Sequence, residues 1–322
     1  MIITERKKSE EIINRIKTSP TSLPIFCTGS HWNTEAILLA ASRVAKKYDI
    51  KNIPVSIAMT FNYEHMPQGQ RITHTNNARL GFLSNMQHLN VLAGDTDSPY
   101  YGVYVLPHLD HADPVKDKWA LTHGTEFLSS VMFDAQKYPL EENIKLTSEY
   151  VKEYGGNVLV EGIMDELNVF EGHNKKDKQE TDDYHERAHS YFKKTRVDFL
   201  VADLGTEQQS QGIGKNAYQR ERARNIQNIL EDRLLVLHGT SCLSDEEICM
   251  LPSDGILRVN MWTRIAREAG LYAFEQLKNR EGKIRQNDFN TVESHQYLMD
   301  SIEKAASIDR KSTRLNSSHG II

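Results

Sequence analysis

The chain of 322 residues is 39% hydrophobic and 26% charged, which is ordinary for a globular protein and leaves enough apolar material for a large core. A formal net charge of -5, without a basic stripe, argues against a nucleic-acid-binding surface. No run reaches the ~18 apolar residues of a membrane-spanning helix, and the charged N-terminus lacks the apolar core of a signal peptide. We therefore expect neither a nucleic-acid nor a membrane partner.

The three cysteines are odd in number and do not form a C-x-x-C spacing; they are Cys27, Cys242 and Cys249. The sequence thus predicts neither a disulfide framework nor a thiolate metal site. Free thiols fit a reducing compartment, so we expect a cytoplasmic protein.

The first predicted element is a charged helix over residues 4–17, with three isoleucines on one side. After it, short apolar runs typical of buried strands recur along the chain. They cover residues 23–28, 53–60, 103–111, 127–134, 157–163, 197–204, 234–238 and 255–260. Predicted helices begin near Asn33, Pro114 and Glu141. Polar passages at 61–77, 168–183 and 205–215 are interpreted as loops, and the first is long enough for a lid or a binding loop.

The alternation of strands and helices indicates parallel strands joined by helical crossovers, and eight strands close a barrel. We predict an α/β fold, a (β/α)8 TIM barrel over about residues 23–277, with an N-terminal helix and a C-terminal helical extension around 291–306. Residues 1–309 would form one domain. Residues 310–322 lose all periodicity and resemble translated vector sequence, so we predict a non-native or disordered tail.

Polar residues at the C-terminal ends of these strands form one candidate site, because catalytic residues of such barrels come from the ends of several strands. They are Asp110, His111, Asp134, Glu161, Gln208, His238 and Asn260. His111 and His238 each end an apolar run, so the barrel would bring both imidazoles to one face, where they suit Zn²⁺ or a similar divalent cation.

Three carboxylates each have more than one interpretation. Asp110 would transfer a proton beside a metal-bound substrate, or it would orient an imidazole. Glu161 follows an apolar strand, where an unpaired carboxylate is costly; it is a metal ligand, a base or half of an ion pair. Asp134 is a ligand or the cap of a turn. Backbone N–H groups at Gly239 to Ser241, and a loop ending at Lys215, are candidate anion-binding segments.

Several blocks of the chain together resemble the class II (metal-dependent) fructose-bisphosphate and tagatose-bisphosphate aldolase family, in the family's order and across the whole predicted barrel. These blocks are His108-Leu109-Asp110-His111, Ser130-Val131-Met132-Phe133-Asp134, Leu140-Glu141-Glu142-Asn143-Ile144, Val160-Glu161, Leu204-Gly205-Thr206, Val236-Leu237-His238-Gly239 and Val259-Asn260.

The resemblance implies reversible aldol cleavage of a phosphorylated ketose through an enediolate of dihydroxyacetone phosphate, with a divalent metal, zinc in most members. It implies His111 and His238 as metal ligands and Asp110 as the acid/base at the C4 hydroxyl. It implies that Gly239 and Ser241 help to hold phosphate and that Asn260 contacts the substrate. Gly205, Lys215 and Thr263 are further predicted substrate or phosphate contacts. It also implies a homodimer or a larger homo-oligomer.

The chain departs from the family pattern at four positions. Gln208 stands where the family has a third metal-binding histidine, so the metal would be completed by Gln208, Glu161 or Glu207, or would differ from zinc, or be absent. Ile163 replaces a second glutamate. Cys242 and Trp262 replace a glycine and an acid in the phosphate pocket, which places the usual bisphosphate substrate in doubt.

Three functions are compatible with these residues. The first is a metal-dependent aldolase-type lyase acting on a ketose or a ketose phosphate. The second is a ketose epimerase that cleaves and re-forms the same bond without releasing the fragments. The third is a non-catalytic sugar-binding barrel, suggested by the loss of the histidine at Gln208.

Overall fold

Eight parallel strands close into a barrel in the computed structural model, which describes residues 1–165, 167–169, 183–208, 218–292 and 302–308. Each strand pairs with its sequence neighbours, and β1 closes the ring against β8. The strands are β1 (Leu23–Cys27), β2 (Ile53–Thr60), β3 (Val103–Ala112), β4 (Ser130–Phe133), β5 (Leu159–Ile163), β6 (Phe199–Val201), β7 (Leu235–Leu237) and β8 (Ile256–Met261). The predicted (β/α)8 barrel is confirmed.

Helices lie around the outside of this ring and across one end of it. They are α1 (Arg6–Lys17), α2 (His31–Tyr48), α3 (Gln68–Arg71), α4 (Ala78–Gly94), α5 (Lys118–Thr122), α6 (Leu140–Tyr154), α7 (Tyr184–Thr195), α8 (Arg220–Leu230), α9 (Asp245–Met250), α10 (Thr263–Asn279), α11 (Glu281–Arg285) and α12 (Phe289–Val292). Residues 302–308 are also helical and bury Ile302, Ala305 and Ala306, which is the described part of the predicted C-terminal extension.

Two apolar clusters form the core, because alternate residues of each strand point to opposite faces. The outer cluster lies between strands and helices, as Val105 and Leu109 of β3 do. The inner cluster fills the barrel and includes Leu106 of the same strand. The isoleucines of α1 join the inner cluster, so this helix closes the end of the barrel where the strands begin. The opposite end is left for the candidate site.

Several predicted element bounds are wrong, each for a local reason. Ser30, not Asn33, caps α2, since its hydroxyl oxygen accepts a hydrogen bond from the backbone N–H of Asn33. The predicted strand at 197–204 is only Phe199–Val201. The helix predicted to begin near Pro114 begins at Lys118 and ends at Thr122. Helix α8 follows the predicted loop at 205–215 without having been predicted.

Two predicted loops contain a short strand each. Asn168–Val169 pairs in parallel with Glu207–Gln208, outside the barrel. Two residues carry too little periodicity to be recognised in a sequence. Lys215 and the predicted tail at 310–322 lie outside the described residues.

Candidate metal centre and active site

A bulge at the end of β3 turns two neighbouring side chains toward the same cavity. The pairing of β3 with β4 shifts register between Leu109 and Ala112, and His111 has a φ of 47°. Regular alternation would point Asp110 into the barrel and His111 away from it. The bulge re-aims His111, so that both side chains reach the mouth of the barrel.

Three buried residues form a group of potential metal ligands at this mouth. Ligand atoms of Asp110, His111 and His238 all lie within 4.8 Å of one another. His238 follows β7, so the group joins the ends of two strands that are far apart in the sequence. The sequence prediction brought the same three residues to one face.

His111 is held on two sides. Its Nδ1 donates to Oδ2 of Asp134 at 2.7 Å, which leaves Nε2 facing the cavity. The Tyr63 ring, from the loop after β2, stacks on the imidazole with centroids 4.3 Å apart and planes 9° apart. Asp134 therefore orients the ring from behind and lies outside the group of three ligands.

His238 is backed by a buried ion pair. Its Nε2 lies 3.5 Å from Oε1 of Glu161, and Oε2 of Glu161 accepts from Nη1 of Arg258 at 2.6 Å. Glu161 and Arg258 are both buried inside the barrel. Of the three interpretations of Glu161, the geometry shows the ion pair, and the carboxylate also faces an imidazole.

Asp110 is fixed through one oxygen only. Oδ2 accepts from Nδ2 of Asn260 at 3.1 Å and lies 3.5 Å from the Cys27 sulfur, which is closer to Oδ1 of Asn260, at 3.1 Å. Oδ1 is buried and has no hydrogen-bond partner among the described residues. An unpaired buried carboxylate oxygen is costly, so a cation or a substrate hydroxyl would stabilise it.

The charges around this group shift pKa values in both directions. Burial alone would lower the pKa of His111, but Asp110 and Asp134 outweigh it, and the pKa is raised. Burial alone would raise the pKa of Asp110, but the nearby histidines His111, His238 and His108 hold it below its usual range. His108, deeper in the barrel, has a pKa well below its ordinary value because of burial and the Arg258 guanidinium.

The residues present fit a divalent cation. Two imidazoles and a carboxylate with an unpaired oxygen are a donor set that binds zinc and other divalent transition metals. Gln208 extends this set, since its amide Nε2 lies 3.4 Å from Nε2 of His111. An amide flip would turn its oxygen to the same place. Glu207 and Glu161 lie outside the group of three.

The cavity above the group is walled by both polar and apolar residues. Gly239, Ser241, Asn260 and Thr263, all predicted substrate contacts, line it with Gln208. Ser241 Oγ is buried, and no described residue forms a hydrogen bond with it. Gly205 has a φ of 79° and its amide donates to Asp203, but it does not line this cavity.

Gly239 is required by its surroundings. Its φ is 71°, and an added Cβ would lie 2.8 Å from the carbonyl carbon of Glu207. Only glycine therefore lets the turn after β7 approach the segment that carries Gln208.

Three residues near the centre were not predicted as site residues. Tyr63 lies on a loop whose length was the only signal. Cys27 ends β1, where a lone thiol resembles a core residue. Arg258 occurs in the middle of an apolar strand, and a cation at such a position should have indicated a buried partner.

Trp262 was noted for its bulk, and its ring lines the cavity. The ring packs closely against Gly29: a β-carbon added to this glycine would lie 3.3 Å from Cη2 of Trp262. Arg264 also lines the cavity, but it is paired with Asp245 at 2.7 Å and Glu268 at 3.1 Å.

A family model described as "Fructose-bisphosphate aldolase class-II" matches residues 7–320. The 6-phospho-5-dehydro-2-deoxy-D-gluconate aldolase of Shouchella clausii (strain KSM-K16) is 30% identical over 188 residues, 57% of this chain and 61% of that protein. The fructose-bisphosphate aldolase of Helicobacter pylori (strain J99 / ATCC 700824) is 31% identical over 142 residues, 39% of this chain and 45% of that protein. The chain thus matches less than two thirds of the length of either relative.

Solved structures with the same fold cover nearly the whole chain. The fructose-bisphosphate aldolase of Campylobacter jejuni superposes with a TM-score of 0.76 at 18% identity, over 98% of this chain and 95% of that one. The YdjI aldolase of Escherichia coli K12 superposes with a TM-score of 0.64 at 18% identity, over 99% of both. At such identity these likenesses show the fold alone. Within the described residues, no helix combines the length and apolarity needed to cross a membrane.

Proposed function

Because the chain belongs to the class II fructose-bisphosphate aldolase family, we propose that it is a divalent-metal-dependent, aldolase-type lyase. It would reversibly cleave a carbon–carbon bond in a ketose or a ketose phosphate. The observation that carries this proposal is the buried group of Asp110, His111 and His238, with ligand atoms within 4.8 Å of one another at the mouth of the barrel.

The residues of the group have separate roles in this proposal. His111 and His238 would hold the metal, with Gln208 beside them. When bound, a divalent cation supplies Lewis-acid chemistry that withdraws electrons from the ketone and supports the negative charge of an enediolate. Asp110 accepts the proton of the C4 hydroxyl in cleavage and returns it in synthesis, through Oδ1, which has no partner among the described residues. Asn260 keeps the other oxygen of Asp110 in place.

The described cavity wall has few groups that could bind a phosphate of the substrate. Ser241, which lines the cavity, has a hydroxyl without a hydrogen-bond partner in the part of the chain that the structure describes. The cation in the described cavity wall, Arg264, already pairs with two carboxylates. Lys215 would be the further cation. We therefore propose a ketose or a ketose monophosphate as substrate in preference to a bisphosphate. Zn²⁺ is the proposed metal, and we propose a cytoplasmic homodimer or larger homo-oligomer.

An activity assay on a panel of ketoses and ketose phosphates tests the proposal. We expect triose products with added Zn²⁺, Co²⁺ or Mn²⁺, and no product after chelation or in His111→Ala. His123→Ala, at an exposed histidine that follows α5 and does not line the cavity, serves as the matched control and should retain activity. Product formation that survives both chelation and His111→Ala would refute the metal-dependent mechanism.

A ketose epimerase is the second candidate. The cavity is lined by Tyr63, Met66, Trp262 and Ile308, whose bulk would help to retain both fragments between cleavage and re-addition. An isomeric ketose without detectable triose would favour this function. Ketose binding without turnover in the metal-loaded protein would instead support a non-catalytic sugar-binding barrel.

A further inference from the structure

Arg258 is a fully buried cation in the centre of the barrel. It lies on β8 two residues before Asn260, so both side chains point inward from the same strand. Its guanidinium donates to Glu161 at 2.6 Å and to the Ser130 hydroxyl at 3.1 Å. The guanidinium carbon also lies 4.7 Å from the centre of the Phe199 ring. Contacts to three other strands therefore fix its position.

Glu161 uses its two oxygens for two different partners. Oε2 is bound by Arg258, and Oε1 faces Nε2 of His238 at 3.5 Å. A buried carboxylate this close to an imidazole ligand would itself be a strong metal ligand. Its pairing with Arg258 opposes that role, because moving to the metal would leave a buried guanidinium without its counter-ion.

From this geometry we propose that Glu161 and Arg258 are positioning residues for the metal centre, an inference that rests on the proposed function. Arg258 holds Glu161 away from the metal, and Glu161 fixes the ring of His238 by its second nitrogen. A carboxylate partner of this kind sets the tautomer of a metal-binding histidine and raises its basicity.

The two imidazoles of the centre are supported differently. His111 donates to Asp134, and Asp134 also accepts hydrogen bonds from the backbone and side-chain amides of Gln136. His238 faces Glu161, which a buried guanidinium pairs. Residues of β4, β5, β6 and β8 thus take part in placing the ligand that follows β7. The orientation of His238 is built into the interior of the barrel.

Metal binding without substrate tests this inference directly. We expect Glu161→Gln to weaken the binding of Zn²⁺ and Co²⁺ by roughly 10- to 100-fold in competition titrations, the usual effect of losing such a partner. Asp254→Asn is the matched control, because Asp254 is also a fully buried carboxylate paired with arginines, Arg220 and Arg224, outside the centre. It should lower the melting temperature and leave the metal affinity within about twofold.

A second variant separates positioning from simple loss of stability. Arg258→Met frees Glu161, so we expect the visible absorption spectrum of the Co²⁺-loaded protein to change as the carboxylate joins the ligands. Adding Glu161→Gln to Arg258→Met should abolish that change, and Arg258→Lys should keep a spectrum close to that of the unaltered protein.

Each outcome decides between the two proposals. Unchanged metal affinity in Glu161→Gln, equal weakening in Asp254→Asn, or an unaltered Co²⁺ spectrum in Arg258→Met would overturn the positioning role alone. Failure of the unaltered protein to bind any divalent metal would overturn the proposed function, and the positioning role with it.

Discussion

His111 occupies a backbone conformation that a residue with a β-carbon adopts only at a cost. Its φ of 47° lies in the left-handed region, which costs roughly 1–2 kcal/mol for a non-glycine residue. The pairs with β4 on either side of the bulge, the Asp134 hydrogen bond and the stacked Tyr63 ring hold it there. Such strain is commonly concentrated at functional sites, where it places a reactive or binding group.

In the proposed metal centre, we expect Gln208 to limit the affinity for zinc. An amide oxygen is a weaker ligand for Zn²⁺ than an imidazole nitrogen, so we expect Gln208→His to tighten zinc binding by roughly tenfold or more. Competition titration against a chromogenic chelator measures this, with Gln87→His, at an exposed amide on α4, as the control. Equal affinities of Gln208→His and the unaltered protein would show that residue 208 does not contact the metal.

The loop between β2 and α4 reaches the centre because its start is anchored. Asp117 accepts hydrogen bonds from the backbone and side-chain amides of Asn62, at 3.2 and 2.9 Å, next to Tyr63. Burial raises the pKa of Asp117 to about 6. The folded protein therefore binds the proton of this carboxyl more tightly than the unfolded chain does.

The sign of the resulting pH dependence follows from that difference. Stability contributed by protonated Asp117 is fully present below the unfolded pKa of 3.8 and is lost as the pH rises through about 6. We expect the unaltered protein to lose roughly 3 kcal/mol relative to Asp117→Asn between pH 4 and pH 7. Urea unfolding of both proteins across this range measures it, and parallel curves would contradict it.

At the scale of the whole molecule, Arg233 ties helix α1 to the barrel. Its buried guanidinium donates to the carbonyls of Ser19 at 2.8 Å and Ile256 at 2.7 Å, and to that of Ile16 at 3.3 Å. Burial lowers its pKa to about 10. The cation joins the end of α1 to the start of β8, at the face opposite the metal centre.

We expect Arg233→Met to destabilise the fold without changing the chemistry. Several buried carbonyls would lose their donor, at a cost of ~3 kcal/mol in the free energy of unfolding. Metal affinity and activity below the melting temperature should be unchanged, because residues at this face serve stability. Arg233→Lys, which keeps one cationic donor, should lose less. A stable Arg233→Met protein with altered activity would contradict this division between the two faces.

Much of this architecture could be predicted from periodicity. Short apolar runs, separated by segments with helical periodicity, predicted all eight strands of the barrel. The polar residues at the ends of those runs predicted that Asp110, His111 and His238 lie on one face. The orientation of His111 depends on a bulge, which no residue type marks. The pairing of Arg258 with Glu161 joins residues 97 positions apart, so it depends on barrel closure and not on local sequence.

The central claim is that a metal held by His111 and His238 supports enediolate formation. Proton exchange tests it most directly: dihydroxyacetone and its phosphate are incubated with the protein in D₂O, and deuterium incorporation at the hydroxymethyl carbon is followed by NMR. We predict incorporation with the metal-loaded protein, and none after chelation or in His238→Ala. Deuterium incorporation that persists in the metal-free protein would contradict the account. So would the absence of incorporation from both dihydroxyacetone and its phosphate in the metal-loaded protein.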